Sequence, residues 1–280
     1  MDFKQFSQLI MIEQTLFALP FAYIGVLFAG GGNIFTWFWV TIAMAAARTA
    51  GMSFNRVIDA AIDAKNPRTQ DRALPRGEVK AASVWRVAVV SCLVLIFSSL
   101  MLNTLCFYLS FVAVGLLYTY SYFKRFSATS HFYLGTVEAA APIGGYLAVT
   151  GEFSVVPFIL GMVILMWIAG LDIIYAIQDK DFDTKENLHS IPARLGEKRA
   201  LALSLACYCL AIIALVVAGI LTQKSLPYWV AVVCIGGIFT YQQKIARKGC
   251  VPETIKLFFK ANLFVSPVLF AGTFLDVLLK

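Results

Sequence analysis

The sequence predicts an all-α bundle of nine membrane-crossing helices, and three observations carry that prediction. Of 280 residues, 60% are hydrophobic and only 14% charged, with a mean hydropathy of +0.78; a water-soluble domain of this size cannot hide so much apolar surface. The apolar residues gather into nine stretches near the roughly 20 residues that a bilayer crossing needs. The basic residues then fall almost wholly on one side of the resulting topology.

The first stretch, Met11–Ala29, runs on past Phe21, too long for the apolar region of a signal peptide, and lacks a basic flank and a small-residue cleavage site. It is expected to stay as a span. Gly30-Gly31-Gly32-Asn33 turns the chain into Phe35–Ala47, which continues helically toward Asp63. Ser83–Leu102 and Thr104–Tyr122 are joined around Asn103, and His131–Val149 and Val155–Ile177 around Thr150-Gly151-Glu152, connectors that can only link antiparallel neighbours. Ala200–Leu221, the short Pro227–Tyr241 and Ala261–Leu279 complete the set, and a single domain over residues 1–280 accounts for the whole length.

With the N-terminus cytoplasmic, all of the 23 Lys and Arg residues except Lys224 and Lys280 lie on the cytoplasmic side. The odd number of spans puts the C-terminus outside. The net charge of +7 is therefore a topology signal; no basic face interleaved with aromatics points to nucleic acid. Cys92, Cys106, Cys207, Cys209 and Cys234 sit in apolar runs and Cys250 in a basic loop, with no C-x-x-C pair, so neither a disulfide framework nor a structural zinc is expected.

Acidic residues are the informative minority. Seven of the nine aspartates lie in two cytoplasm-facing segments. In the first, Asn55, Asp59 and Asp63 are spaced i, i+4, i+8, one polar stripe on a helix, with Asp71 further on. In the second, Asp172, Tyr175, Asp179 and Asp183 share a sector about 80° wide while Asp181 points the other way. Asp172 and Tyr175 lie deeper, where a carboxylate costs a few kcal/mol and is rarely kept without a task.

Two carboxylate rows closing on one cavity repel unless cations sit between them. Oxygen ligands without His or Cys favour a hard divalent ion, Mg²⁺ before zinc. Lys65, Arg68, Arg72, Arg76 and the pair Lys124-Arg125 interleave with the acids, and acids, bases and divalent metal together describe a diphosphate site. Arg76, Lys80, Lys244, Arg247 and Lys248 read as topology signals on a solvated face. Tyr118, Tyr120 and Tyr122 fit an interfacial belt as well as a site, and His131 and His189 read as helix-end or loop residues without a role. Asp59 and Asp179 each follow the second helix of a four-helix set, a hint of duplication.

The first segment continues through Asn66-Pro67-Arg68-Thr69 to Arg72-Ala73-Leu74-Pro75-Arg76-Gly77. Together with Tyr120-x-x-x-Lys124-Arg125 and with Asp172-x-x-Tyr175-x-x-x-Asp179-x-x-x-Asp183, which ends in Ser190-Ile191-Pro192-Ala193-Arg194, it resembles the UbiA superfamily of intramembrane prenyltransferases. Within that group the chain is most similar to the 4-hydroxybenzoate polyprenyltransferase branch, including sister enzymes that prenylate a dihydroxynaphthoate in the futalosine route to menaquinone.

The resemblance implies a nine-helix bundle with a lipid-accessible cavity capped on the cytoplasmic side, where Mg²⁺ and an allylic polyprenyl diphosphate are held. It implies Asn55, Asp59, Asp63, Asp179 and Asp183 as metal and diphosphate ligands, the four aspartates being catalytic. Arg72 and Lys124 would hold the diphosphate, and Arg125, near Asp179, would meet the aromatic acid; Asp172 and Tyr175 would line the substrate site. The partners implied are the diphosphate, the aromatic acid and the bilayer, with the reaction at the cytoplasmic face of a bacterial inner membrane. Many relatives carry an acid immediately after the asparagine, where this chain has Arg56, so the first cluster lacks one possible carboxylate and the resemblance leaves the number of metal ions open.

Two other classes use membrane carboxylates. A transporter or proton-coupled carrier would place them near the midplane, whereas here they crowd one face beside phosphate-type bases. Phosphotransfer on CDP-alcohols would need an Asp-Gly-x-x-Ala-Arg pattern, which this sequence lacks.

Overall fold

The computed structural model of the chain describes residues 3–249 and 252–279. Cys250 and Lys280, which enter the sequence reading above, lie outside the described residues. All regular structure among the described residues is helical. In chain order the helices are α1 (Phe3–Ile10), α2 (Ile12–Phe28), α3 (Ile34–Ile58), α4 (Ala60–Asp63), α5 (Ala81–Leu102), α6 (Thr104–Phe123), α7 (Ser130–Thr150) and α8 (Val155–Ala176). A 3₁₀ turn (Ile177–Asp179) leads to α9 (Lys180–Lys185), α10 (Ile191–Leu195), α11 (Glu197–Leu221), α12 (Leu226–Ala246), α13 (Pro252–Asn262) and α14 (Val265–Leu278).

Among the described residues, five helical segments are long and apolar enough to cross a membrane: Ala81–Leu102, Thr104–Phe123, Val155–Lys185, Glu197–Leu221 and Glu253–Leu278. Their outward faces carry large exposed apolar residues such as Leu93, Phe97, Val112, Ile213, Ile220 and Leu278. That much apolar surface needs hydrocarbon around it.

The turns work as their residues require. Gly30 and Gly31 take positive φ after α2, and Asn33 then caps α3 by accepting from the Thr36 amide at 2.9 Å. Asn103 alone joins α5 to α6. Its Oδ1 accepts from the Cys106 amide at 2.8 Å and its Nδ2 donates to the Leu147 carbonyl of α7 at 2.8 Å. Where α2 crosses α7 the backbones nearly touch: a Cβ on Gly145 would lie 2.0 Å from the Ala22 carbonyl oxygen, and one on Gly25 2.1 Å from that of Pro142. Small residues permit such close packing between membrane helices.

Three elements differ from the sequence expectation. The second stretch is not one helix to Asp63, because it breaks at Asp59. The short eighth stretch becomes a 21-residue helix: Gln242 and Gln243 end the apolar run yet stay buried, their amides donating to the Phe258 carbonyl at 3.3 Å and to Ser204 Oγ at 2.9 Å. The ninth is split between α13 and α14. Pro267, in the first turn of α14, has no N–H to offer the Leu263 carbonyl, which favours the break just before it.

Candidate active site

The antiparallel order brings the ends of α3, α6 and α8 and the start of α7 to one end of the bundle, and both acidic segments lie there. Asp59 ends α3, but its amide still donates to the Asn55 carbonyl at 3.0 Å and its carbonyl accepts from the Asp63 amide at 2.8 Å. The i, i+4 bonds therefore continue through the break and keep Asn55, Asp59 and Asp63 on one side. Asn55 Nδ2 donates to Asp59 Oδ2 at 2.8 Å. On the second segment the 3₁₀ turn tightens the chain after Ala176; Asp179 and Asp183 are buried while Asp181 is exposed.

Each of these four aspartates faces a base from elsewhere in the chain. Arg125, one residue past Lys124 at the end of α6, donates to the Ile58 carbonyl at 2.6 Å and to Asp59 Oδ1 at 3.3 Å. Arg72 donates to Asp63 Oδ2 at 2.6 Å. Arg68 forks onto Asp179, Nε to Oδ1 at 2.9 Å and Nη2 to Oδ2 at 2.6 Å, while its Nη1 donates to the Tyr175 hydroxyl at 2.6 Å. Asn66 adds a third bond to Asp179 at 3.0 Å. Lys124 Nζ stands 3.1 Å from Asp183 Oδ1. That ammonium lies off the hydrogen-bonding direction, so both carboxylate oxygens of the fully buried Asp183 lack a hydrogen-bond donor.

Buried carboxylates are kept ionised only by such partners, and two-pronged arginine contacts are the strongest of them. Burial pushes the Asp59 carboxyl up to about 6, with the bond and charge of Arg125 pulling it back down. Arg68 is lowered by burial, but its bond to Asp179 and the nearby negative groups outweigh that and hold it above its ordinary value. No three His, Cys, Asp or Glu side chains among the described residues converge as a preformed metal cluster. Each of the four acids is paired with a base instead.

Two more pairs lie deeper. Arg48 on α3 binds Glu138 on α7. His131, at the start of α7, binds Asp172 of α8 at 2.7 Å. Asn66, Arg48, Glu138 and the imidazole of His131 escaped sequence reasoning because pairings across helices leave no mark on helical period. The fork of Arg68 had a faint signal, since Arg68 lies in the Asn-Pro-Arg run that follows the first acidic stripe.

Residues 18–264 match the model of the UbiA prenyltransferase family. The chain belongs to that family. As a UbiA-family prenyltransferase it is an integral, multi-pass membrane protein. It is 29% identical over 280 residues to the 4-hydroxybenzoate octaprenyltransferase of Cupriavidus metallidurans, covering 99% of this chain and 92% of that one. The octaprenyltransferase of the same name from Pectobacterium carotovorum is 28% identical over 271 residues, covering 96% and 91%. Among solved structures, a UbiA homologue from Aeropyrum pernix in the apo state superposes with a TM-score of 0.88 at 32% identity, over 95% of this prenyltransferase and 98% of its own chain. A homologue from Archaeoglobus fulgidus bound to GPP and Mg²⁺ shares the fold, with a TM-score of 0.73 at 18% identity over 98% and 99%.

Proposed function

We propose that this prenyltransferase moves a polyprenyl group from an allylic polyprenyl diphosphate onto an aromatic carboxylic acid, 4-hydroxybenzoate or a dihydroxynaphthoate, with Mg²⁺, in ubiquinone or menaquinone biosynthesis. The single observation that carries this reading is the ring of four acid–base pairs, Asp59–Arg125, Asp63–Arg72, Asp179–Arg68 and Asp183–Lys124, at one end of an apolar bundle. The relatives named for octaprenyl transfer to 4-hydroxybenzoate support the same substrate class. Nine crossings of one domain, a cytoplasmic N-terminus and a site capped on the cytoplasmic side belong to this reading, supported by the one-sided distribution of Lys and Arg.

The donor set suits a hard divalent cation. All candidate ligands, Asn55, Asp59, Asp63, Asp179 and Asp183, offer oxygen, and the carboxylate of Asp183, with Lys124 beside it but no hydrogen-bond donor, is the least satisfied of them. Mg²⁺ held there would neutralise charge on the departing diphosphate. Arg68, Arg72 and Lys124, which grip aspartates in the free chain, are the bases available to phosphate oxygens, and Arg125, beside Asp59, would meet the anionic acceptor. Arg48, the half-buried base paired with Glu138, lies about two helical turns deeper than Asn55 on α3.

As the allylic C–O bond lengthens, Arg68, Arg72 and Lys124 would stabilise the charge building on the leaving oxygens. The apolar walls keep water from the allylic cation, and each buried CH₂ of the tail contributes about 0.8 kcal/mol to binding. Membranes carrying the chain, supplied with Mg²⁺, a polyprenyl diphosphate and the acid, should yield a C-prenylated product by mass spectrometry. Asp59→Ala and Asp179→Ala should each lose orders of magnitude in rate; full activity in either would remove the site from its role.

A further inference from the structure

His131 is 3% exposed, and both of its ring nitrogens are used. Nδ1 lies 2.7 Å from Asp172 Oδ2, and Nε2 accepts from the backbone amide of Ile191 at 3.2 Å. The amide at Nε2 demands a lone pair there, which puts the ring proton on Nδ1 and makes the neutral imidazole a donor to Asp172. The imidazole therefore ties together the start of α7, the inner part of α8 and the start of α10.

The two partners are unequal in access. The His131 side chain is 4% exposed and that of Asp172 27%. Asp172 Oδ1 has no hydrogen-bond partner among the described residues. On α8, Asp172 lies one turn inward from Tyr175, whose hydroxyl holds Arg68, and shares its sector with Asp179. The reachable group of the pair is thus a carboxylate oxygen below the ring of acid–base pairs, and the imidazole behind it cannot reach a substrate.

Resting on the aromatic prenylation argued above, we propose that Asp172 takes the proton that the acceptor ring must lose, and that His131 is the positioning residue that aims it. In that step the ring carbon ortho to the hydroxyl bonds to the allylic carbon, whose C–O bond breaks with its electron pair leaving on the diphosphate. The C–H pair at the attacked carbon then restores the aromatic ring, and the proton goes to Asp172 Oδ1. His131 stays neutral throughout, its Nδ1–H fixing Oδ2, so that Oδ1 keeps one direction.

The test uses the full-length enzyme in membranes with Mg²⁺, a polyprenyl diphosphate and the acceptor, either unlabelled or deuterated on the ring, and reads rate and isotope effect. Asp172→Asn should lower kcat about 10²–10⁴-fold and raise the ring-deuterium isotope effect above the wild-type value, because proton loss becomes limiting. His131→Phe and His131→Gln should lose about 10²-fold with the same rise. An Asn amide falls where Nδ1 was and a Gln amide where Nε2 was, so His131→Asn should keep most of the wild-type rate and isotope effect. A slowed Asp172→Asn with an unchanged isotope effect would overturn the proton assignment, and equal losses in His131→Asn and His131→Gln would overturn the positioning role. A wild-type enzyme that prenylates no aromatic acid would instead overturn the functional reading, and the proton assignment with it.

Discussion

Arg68 and Asp179 meet through two parallel bonds of 2.9 and 2.6 Å, from a loop and a 3₁₀ turn that share no helix. The same guanidinium lies 4.9 Å from the centre of the Tyr175 ring, so it bridges the two acidic segments directly. The Lys65–Glu186 contact at 2.7 Å joins the same two loops but is more exposed, and such surface pairs contribute about 0–1 kcal/mol.

Arg68→Lys keeps the charge and loses the fork. With the arginine side chain 30% exposed, the loss should be about 1–3 kcal/mol, seen as a lower melting temperature in detergent. Lys65→Ala should leave that temperature nearly unchanged.

Asp183→Asn should separate stability from activity. Its carboxylate is fully buried without a hydrogen-bond donor and has the Lys124 ammonium 3.1 Å away as its counter-charge; because that ammonium is 36% exposed and stays solvated when the partner is neutralised, the melting temperature should change little. Prenyl transfer should fall by orders of magnitude. Mn²⁺ binding followed by electron paramagnetic resonance should weaken in parallel.

Asp59 gives a pH dependence of defined sign. Burial, opposed by Arg125, raises its carboxyl from 3.8 to about 6. The fold therefore prefers the uncharged form: this group's contribution to stability is complete below 3.8 and is lost as pH rises through about 6. Wild type should lose more melting temperature across that window than Asp59→Asn. Divalent-cation affinity should move the opposite way, falling as pH drops through about 6, because a protonated carboxyl ligates poorly.

Much of the bundle could be read from apolar length and turn chemistry, because a hydrocarbon solvent fixes how long a crossing helix must be. Asn103 and Gly151 mark turns by their own side-chain or backbone requirements. Elements whose boundaries depend on neighbours could not be read so. Phe3–Ile10 is too short and mixed to register as a span, Met11 leaves the helix in a left-handed conformation, and Gln242 and Gln243 look like loop residues until their buried partners are known. The four aspartates followed from spacing. Their individual bases did not, since spacing along one helix says nothing about which arginine arrives from another.

The far end of the bundle holds a buried pair of its own, Lys224 Nζ to Asp276 Oδ2 at 3.0 Å, with side chains 6% and 0% exposed. Lys224 also sits 4.3 Å from the centre of the Phe28 ring. Asp276→Asn should cost about 3–5 kcal/mol by stranding the ammonium, read from thermal unfolding, and Lys224→Met combined with Asp276→Leu should recover much of it. Turnover measured below the unfolding range should stay near wild type in every variant.

Gly145→Ala should fold poorly. The new methyl would fall 2.0 Å from the Ala22 carbonyl oxygen, and prising α2 from α7 should cost about 1–3 kcal/mol or more, measured as lost monodisperse protein after extraction.

Asn103 also has a dynamic meaning. A one-residue link whose side chain grips both the helix it starts and the Leu147 carbonyl of a third helix leaves that hairpin no slack. The rim of the bundle opposite the two acidic segments thus behaves as a soldered hinge. Breathing that lets a large hydrophobic guest in or out is then expected at the opposite mouth, where among the described residues side-chain tethers hold the two loops together.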